Sequence, residues 1–339
     1  MLARLHVLLP YSVVLPDGES YQIYAYEDNG YEVRVLPPLR SDEPGAGVSN
    51  DQKMIINDKS GIQANILRVD FIKESFDRRS GIDCDPPYEL IRRTINHFLR
   101  KLRFVTRGFM IKEIDFPRVS WRIQYLNDDE TELEHLEGMV RFRGARAFQF
   151  SWTALTPEIW NDIYSLPVDY SPPEWDNLYL DAVAALPDVG PAIVLAATSL
   201  ETFIAYILDV LVKKTTVPPD LWQWINSRDW LKAPTPTEQY DVLLRILLGV
   251  SLKDDPTLWE AFQNIKNARN SFVHEGVAQI GGKPITDTDA RKLVQSVAKI
   301  TKFIKLKMPS EFQWPEFEHT ANVEMQMNLF GEKEKSEGT

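Results

Sequence analysis

Apolar residues recur with two different periods along this chain, and the change of period divides it. In the first half many of them recur at every second position. "YQIYAYEDNGYEVRVLPPL" holds two β-rich runs around Asn29-Gly30, the signal for a tight hairpin. "SGIQANILRVDFIKESF" predicts another strand region, and so does the opening "MLARLHVLLPYSVVLPDGES". Proline and polar residues break that opening apolar run and no small-residue cleavage site follows, so it reads as a strand and not a signal peptide. In "SWRIQYL", Trp121, Ile123 and Tyr125 fall on one face and Arg122 and Gln124 on the other. "GMVRFRGARAFQFSW" alternates in the same way, with Gly144 marking a bulge or bend, and "NDDE" at 127–130 suits a hairpin tip. One helix interrupts these strands. In residues 86–107, Leu90, Ile91, Ile95, Phe98, Leu99, Leu102 and Val105 recur every three or four positions, with two prolines at the tolerant start.

After "SLPVDYSPPEW", with its three prolines, the period becomes helical throughout. Residues 190–213 are apolar nearly all round, which predicts a central helix. "TPTEQYDVLLRILLGV" opens on a capping signal at Thr235 or Thr237. "DPTLWEAFQNIKNARNSFVHEG" puts Leu258, Phe262, Ile265, Arg269 and Phe272 on one face and stops at Gly276. A further helix carries Leu293, Val297, Ile300 and Ile304 on its buried stripe. The expected fold class is α+β. An N-terminal mixed domain (1–165) and a proline-rich linker (166–174) precede an all-α bundle (175–308) and a largely disordered tail (309–339).

Composition narrows the chemistry. With 44% hydrophobic and 26% charged residues in 339, the chain has the balance of a globular protein. Its single cysteine, Cys84, excludes an intramolecular disulfide or a cysteine metal cluster and fits a reducing cytoplasm. The net charge of −11 is spread evenly: residues 1–170 hold 21 basic and 26 acidic side chains, residues 171–339 hold 17 and 23. Any contact with nucleic acid therefore needs a local basic patch. The longest apolar run, 189–212, carries Glu201 and Asp209. A charge at bilayer depth costs about 2.5–3.5 kcal/mol, so a buried helix is expected there and no membrane span. His6, His97, His135 and His319 lack ligand spacing, and no phosphate-binding glycine loop or nucleophile elbow is present, so no metal or cofactor is expected.

The chemistry concentrates in "NARNSFVHEG", residues 267–276, at the end of a helix. Cleaving RNA without metal needs an acid or base at the 2′-hydroxyl and leaving oxygen, and a cation on the non-bridging phosphate oxygens. Histidine supplies the first near neutral pH, and the planar arginine fork supplies the second. The residues also allow a structural role. His274 can cap the negative end of the helix dipole, and Arg269 can pair with Glu201 or Glu275. A buried glutamate such as Glu201 needs a partner, and Arg269 is the obvious one. At about 100° per residue, Arg269 and His274 project about 140° apart. They share a face only if the helix loosens near Gly276, or they meet across a two-fold axis in a dimer.

A helical bundle with a glutamate in its central helix and Arg269-Asn270, three residues and His274 late in another helix resembles the HEPN domains (higher eukaryotes and prokaryotes nucleotide-binding), which carry an R-x(4–6)-H motif. The resemblance covers residues 175–308 and leaves 1–170 unmatched. It implies a metal-independent endoribonuclease acting as a homodimer on RNA, in a bacterial toxin or phage-defence setting. Arg269, His274 and Asn270 would be catalytic, with Glu201 and Glu275 in support. The alternative is a non-catalytic module that dimerises or binds nucleotide or a partner.

Two further patterns bear on partners. The helix at 86–107 shows Arg93, Asn96, His97, Arg100, Arg103 and Arg107 on one face, flanked by Arg92 and Lys101. Arg141, Arg143 and Arg146 follow on a strand and turn. Arg93, Arg100, Arg103, Arg107, Arg141 and Arg143 would together bind an RNA backbone, or else form a solvated face balanced by acids. In the tail, Gln326, Met327, Leu329 and Phe330 resemble the short peptide with which bacterial proteins dock on the DNA sliding clamp. The other reading is an apolar clip folded back on the protein's own surface.

Overall fold

The computed structural model describes residues 1–41, 52–77, 84–115, 118–138, 153–214, 217–226, 233–319 and 323–327. Arg141, Arg143, Arg146, Gly144, Leu329 and Phe330 lie outside them. The chain forms two compact units: Met1–Ser171 with Phe317–Thr339, and Pro172–Glu316.

The first unit is built on β1 (Leu2–Pro16), β2 (Ala25–Asp28), β3 (Tyr31–Leu39), β4 (Gln52–Ile56) and β5 (Lys59–Ile72). Then follow α1 (Tyr88–Thr106), β6 (Trp121–Leu126), β7 (Glu132–Gly138), β8 (Thr153–Ala154) and α2 (Pro157–Ser165). The hairpin at Asn29-Gly30 forms as the sequence predicts. Both residues take positive φ (51° and 77°), and Asp28 pairs with Tyr31. β1 is central, antiparallel to β5 and β6, with Arg4 opposite Asp70 and Gln124. Ala3, Leu5, Val7 and Leu9 of β1 are buried. With Val69, Phe71, Ile123 and Tyr125 they join Ile91, Ile95 and Leu99 of α1 and Trp160 of α2 in one core. The intervening β1 positions carry Arg4 and His6 on the other face, as the two-residue strand period requires. There the Arg4 guanidinium grips the Asp70 carboxylate with two bonds of 2.8 and 3.0 Å.

The second unit comprises α3 (Glu174–Ala185), α4 (Val189–Val212), α5 (Pro219–Asn226) and α6 (Pro236–Glu238). After a π-helical turn at Gln239–Leu243 come α7 (Leu244–Leu248) and α8 (Pro256–Glu275). A short β9–β10 hairpin (Gln279–Ile280 and Lys283–Pro284) precedes α9 (Asp287–Lys305). α4 is the hub, packing on α3, α7, α8 and α9. Thr235 is the cap of α6, forming a reciprocal capping box with Glu238. Among the described residues α4 is the helix long and apolar enough to cross a membrane, and half of its most apolar stretch is buried within the protein. Asp209 sits on its exposed side and accepts a hydrogen bond from Trp222 Nε1 at 2.9 Å.

Two expectations are corrected. The second unit is not purely helical, because Gly281 and Gly282, at φ 57° and 76°, close the β9–β10 hairpin. The segment from 309 is not largely disordered over its described part. Trp314 seats edge-on against Trp175 and Phe203 at 4.9 and 5.7 Å between ring centres, giving that segment an aromatic anchor. β11 (Val323–Met327) then adds to the sheet edge antiparallel to β4. Gln326 and Met327 therefore stand in a paired strand, opposite Lys53 and Gln52.

Candidate functional site

α8 begins at Pro256, where the Asp255 carboxylate accepts from the Leu258 amide at 3.0 Å. Phe262, Ile265 and Ala268 are buried against the hub helix and fix the rotation of α8 about its axis. That rotation leaves Asn267, Asn270, His274 and Glu275 exposed and Arg269 half-buried. The helix stays α-helical through Glu275. It ends at Gly276 (φ 76°), whose amide donates to the Phe272 carbonyl at 2.8 Å. The helix does not loosen before Gly276, so Arg269 and His274 project about 140° apart. Asn270 and His274, four residues apart, share a stripe.

The Arg269 guanidinium donates to Asn270 Oδ1 at 3.2 Å. Neither Arg269 nor His274 is bound to a carboxylate among the described residues, so both remain open to an external anion. Glu275 accepts from Gln279 Nε2 at 3.1 Å, tying the helix end to the hairpin that follows. Ser271 ties it more firmly: its hydroxyl donates to the Ala268 carbonyl at 3.0 Å and accepts from the Gln279 amide at 2.7 Å. The helix face between Arg269 and His274 carries the exposed Asn270 and Val273, the latter at 54% exposure, and Val277 just past the helix end is 44% exposed.

Glu201 does not join this group. Phe272 of α8 lies against Gly190 of α4. Tyr240 donates to the Leu200 carbonyl of α4 at 2.8 Å and packs on Phe262 of α8 at 4.6 Å. The two helices therefore run antiparallel, which places Arg269 level with about residue 193 of α4 and Glu201 about 12 Å further along the axis. The expected Arg269–Glu201 pair is absent for that reason. Glu201 instead stands near Tyr240, whose phenol is held well above its usual pKa by burial and then by this carboxylate.

The basic face expected on α1 is broken up. Arg93 binds Asp28 at 2.7 Å and Arg100 reaches Glu113 at 3.4 Å. Arg103 is buried, and Arg107 forms the left-handed C-cap of the helix, above the Phe104 ring. Asn96 is buried too, exchanging hydrogen bonds with the Ile114 backbone at 3.0 and 2.9 Å. The loop around Ile114 and the segment after α2 cover positions that local periodicity assigns to solvent. Among the described residues no three metal-binding side chains stand together.

Sequence reasoning also missed a group in the first unit. Thr94, His97 and Lys101, spaced three and four apart on one stripe of α1, line a cavity with Tyr26 of β2 and Tyr164 of α2. The only signal in the sequence was that spacing, which reads equally well as a solvated face. Compared with known proteins, the chain matches no family model, no curated protein and no solved structure.

Proposed function

We propose that the chain is a metal-independent endoribonuclease of HEPN type acting as a homodimer, as a bacterial toxin or phage-defence effector by analogy with the resembled family. One observation carries this reading. Arg269, bonded to Asn270, and His274 stand within the last turns of one continuous helix, with no carboxylate among the described residues claiming either cation-forming group. Arg269 would hold the scissile phosphate, and Asn270 would position the guanidinium and donate its amide to phosphate oxygens. His274 would take the 2′-hydroxyl proton or protonate the 5′-oxygen leaving group. Attack of the 2′-oxygen on phosphorus breaks the P–O5′ bond and leaves a 2′,3′-cyclic phosphate and a 5′-hydroxyl. The 140° between the two side chains calls for a second copy, so that Arg269 of one protomer faces His274 of the other across a two-fold axis.

The exposed Val273 and Val277 favour a second reading. Exposed apolar side chains at the end of α8 suit an interface as well as a cleft, and a non-catalytic dimerisation or binding module would use Arg269 and His274 as contacts. Cleavage of labelled single-stranded and transfer RNA in EDTA separates the two. The first reading predicts cleavage that both alanine variants lose. The second predicts none, with dimerisation weakened instead.

A further inference from the structure

The cavity in the first unit has a volume of about 120 Å³ and opens to solvent. A dry cavity of about 150 Å³ accepts benzene; this one is somewhat smaller but open at its mouth, so a single ring enters with part of its edge in solvent. Most of its wall is apolar or aromatic. Tyr24 stacks on Tyr164 with ring centres 4.5 Å apart and planes 14° from parallel, and the Phe98 ring forms part of the α1 side.

Besides the tyrosine hydroxyls, the polar side chains come from α1. Lys101 is only 8% exposed. Its ammonium donates to the Pro167 carbonyl at 2.7 Å and the Leu166 carbonyl at 3.5 Å, leaving one of three N–H groups. Burial pulls its pKa down to about 8, so the site holds this cation against a desolvation penalty. Thr94 is 2% exposed, and its Oγ1 lies beside the Tyr26 hydroxyl without a hydrogen bond of normal geometry. His97 Nε2 stands 3.0 Å from the Tyr170 carbonyl and so carries the proton. Burial and then Lys101 lower the pKa of its imidazole, favouring the neutral form. Among the described residues no carboxylate lines the cavity, and Asp169 acts on Lys101 from outside the wall.

A largely apolar, open-mouthed box close to the size of one ring, with a buried cation and a buried hydroxyl on one wall, is completed by a ring that carries an anionic acceptor. We propose that this cavity binds a small monocyclic aromatic carboxylate. The ring lies against Phe98 and the Tyr24–Tyr164 pair, and the carboxylate accepts from Lys101 and Thr94. The site is separate from Arg269 and His274 and does not rest on the ribonuclease reading.

The test is ¹⁹F NMR on the full chain, with 4-fluorobenzoate as probe and fluorobenzene and 4-fluorobenzylamine as controls. The wild type should shift and broaden fluorobenzoate saturably, and bind each control about tenfold or more weakly, the worth of one charge-assisted hydrogen bond. Lys101→Met should weaken fluorobenzoate by a similar factor. Val168→Trp, at a 56% exposed position on the rim, leaves Lys101 and Thr94 in place and should block the probe by filling the mouth. No saturable shift with wild type, equal binding of benzoate and benzylamine, or undiminished binding in Val168→Trp would each overturn the proposal.

Discussion

Gly190→Ala tests the contact that sets α8 against α4. An added Cβ at Gly190 would stand 2.1 Å from Phe272 Cε2 and 2.3 Å from Cζ, far inside contact distance. Helix propensity alone would favour alanine by about 0.5–1 kcal/mol. The ring must instead swing away, and overpacking of this kind costs about 1–3 kcal/mol. The net expectation is a loss of about 1 kcal/mol, which for a domain of this size lowers Tm by about 2–4 °C. Phe272 lies between Arg269 and His274 in the chain, so the same change should shift α8 and reduce any RNA cleavage. Phe272→Leu in the Gly190→Ala background should recover part of the loss, because the shorter side chain clears the new methyl. Thermal denaturation of the four proteins of this double-mutant cycle gives the coupling directly. A Gly190→Ala protein as stable as wild type, or additive behaviour of the pair, would refute the packing described here and the helix register drawn from it.

Other expectations follow from single groups. Asp70→Asn removes the carboxylate that Arg4 grips with two bonds, and should cost about 1.5–3 kcal/mol in denaturant unfolding. Burial, then Arg68, Arg4 and Arg122, hold the pKa of His6 down at about 4. A depressed pKa means the unfolded chain binds the proton more readily. The stability linked to neutral His6 is therefore complete above pH 6.5 and is lost as pH falls through about 4. His6→Gln should flatten that part of the stability profile. Ser271→Ala breaks the clamp between α8 and the β9–β10 hairpin and should cost about 1 kcal/mol in thermal unfolding, with amide exchange at Gln279 faster than in wild type.

Much of this architecture is legible where local physics decides it. Asn29-Gly30 announces its hairpin because few other pairs accept positive φ at both positions. Thr235 and Gly276 mark helix ends for equally local reasons, as cap and left-handed stop. β7 escapes the pattern because Glu132, Glu134 and His135 read as solvent-facing, and its pairing with β6 supplies the order instead. The π-helical turn at 239–243 is hidden too, since its residues have the same spacing as an ordinary helix. The site was half legible. Arg269, Asn270 and His274 are recognisable because they are close in sequence. The separation of Glu201 from Arg269 depends on how α4 and α8 register, which no local pattern reports. Lys101 was misread for a similar reason: the carbonyls that hold it, Leu166 and Pro167, lie 65 and 66 residues away.

The central claim rests on Arg269 and His274 and meets its most direct test in RNA cleavage. Wild type, Arg269→Ala and His274→Ala, each confirmed folded, would be incubated with labelled single-stranded and transfer RNA in EDTA, with growth inhibition on expression measured in parallel. The account predicts wild-type products ending in 2′,3′-cyclic phosphate and 5′-hydroxyl, and a loss of about 10²-fold or more in each variant. Wild type and variants behaving alike in both assays would contradict it and leave the exposed end of α8 as a binding surface.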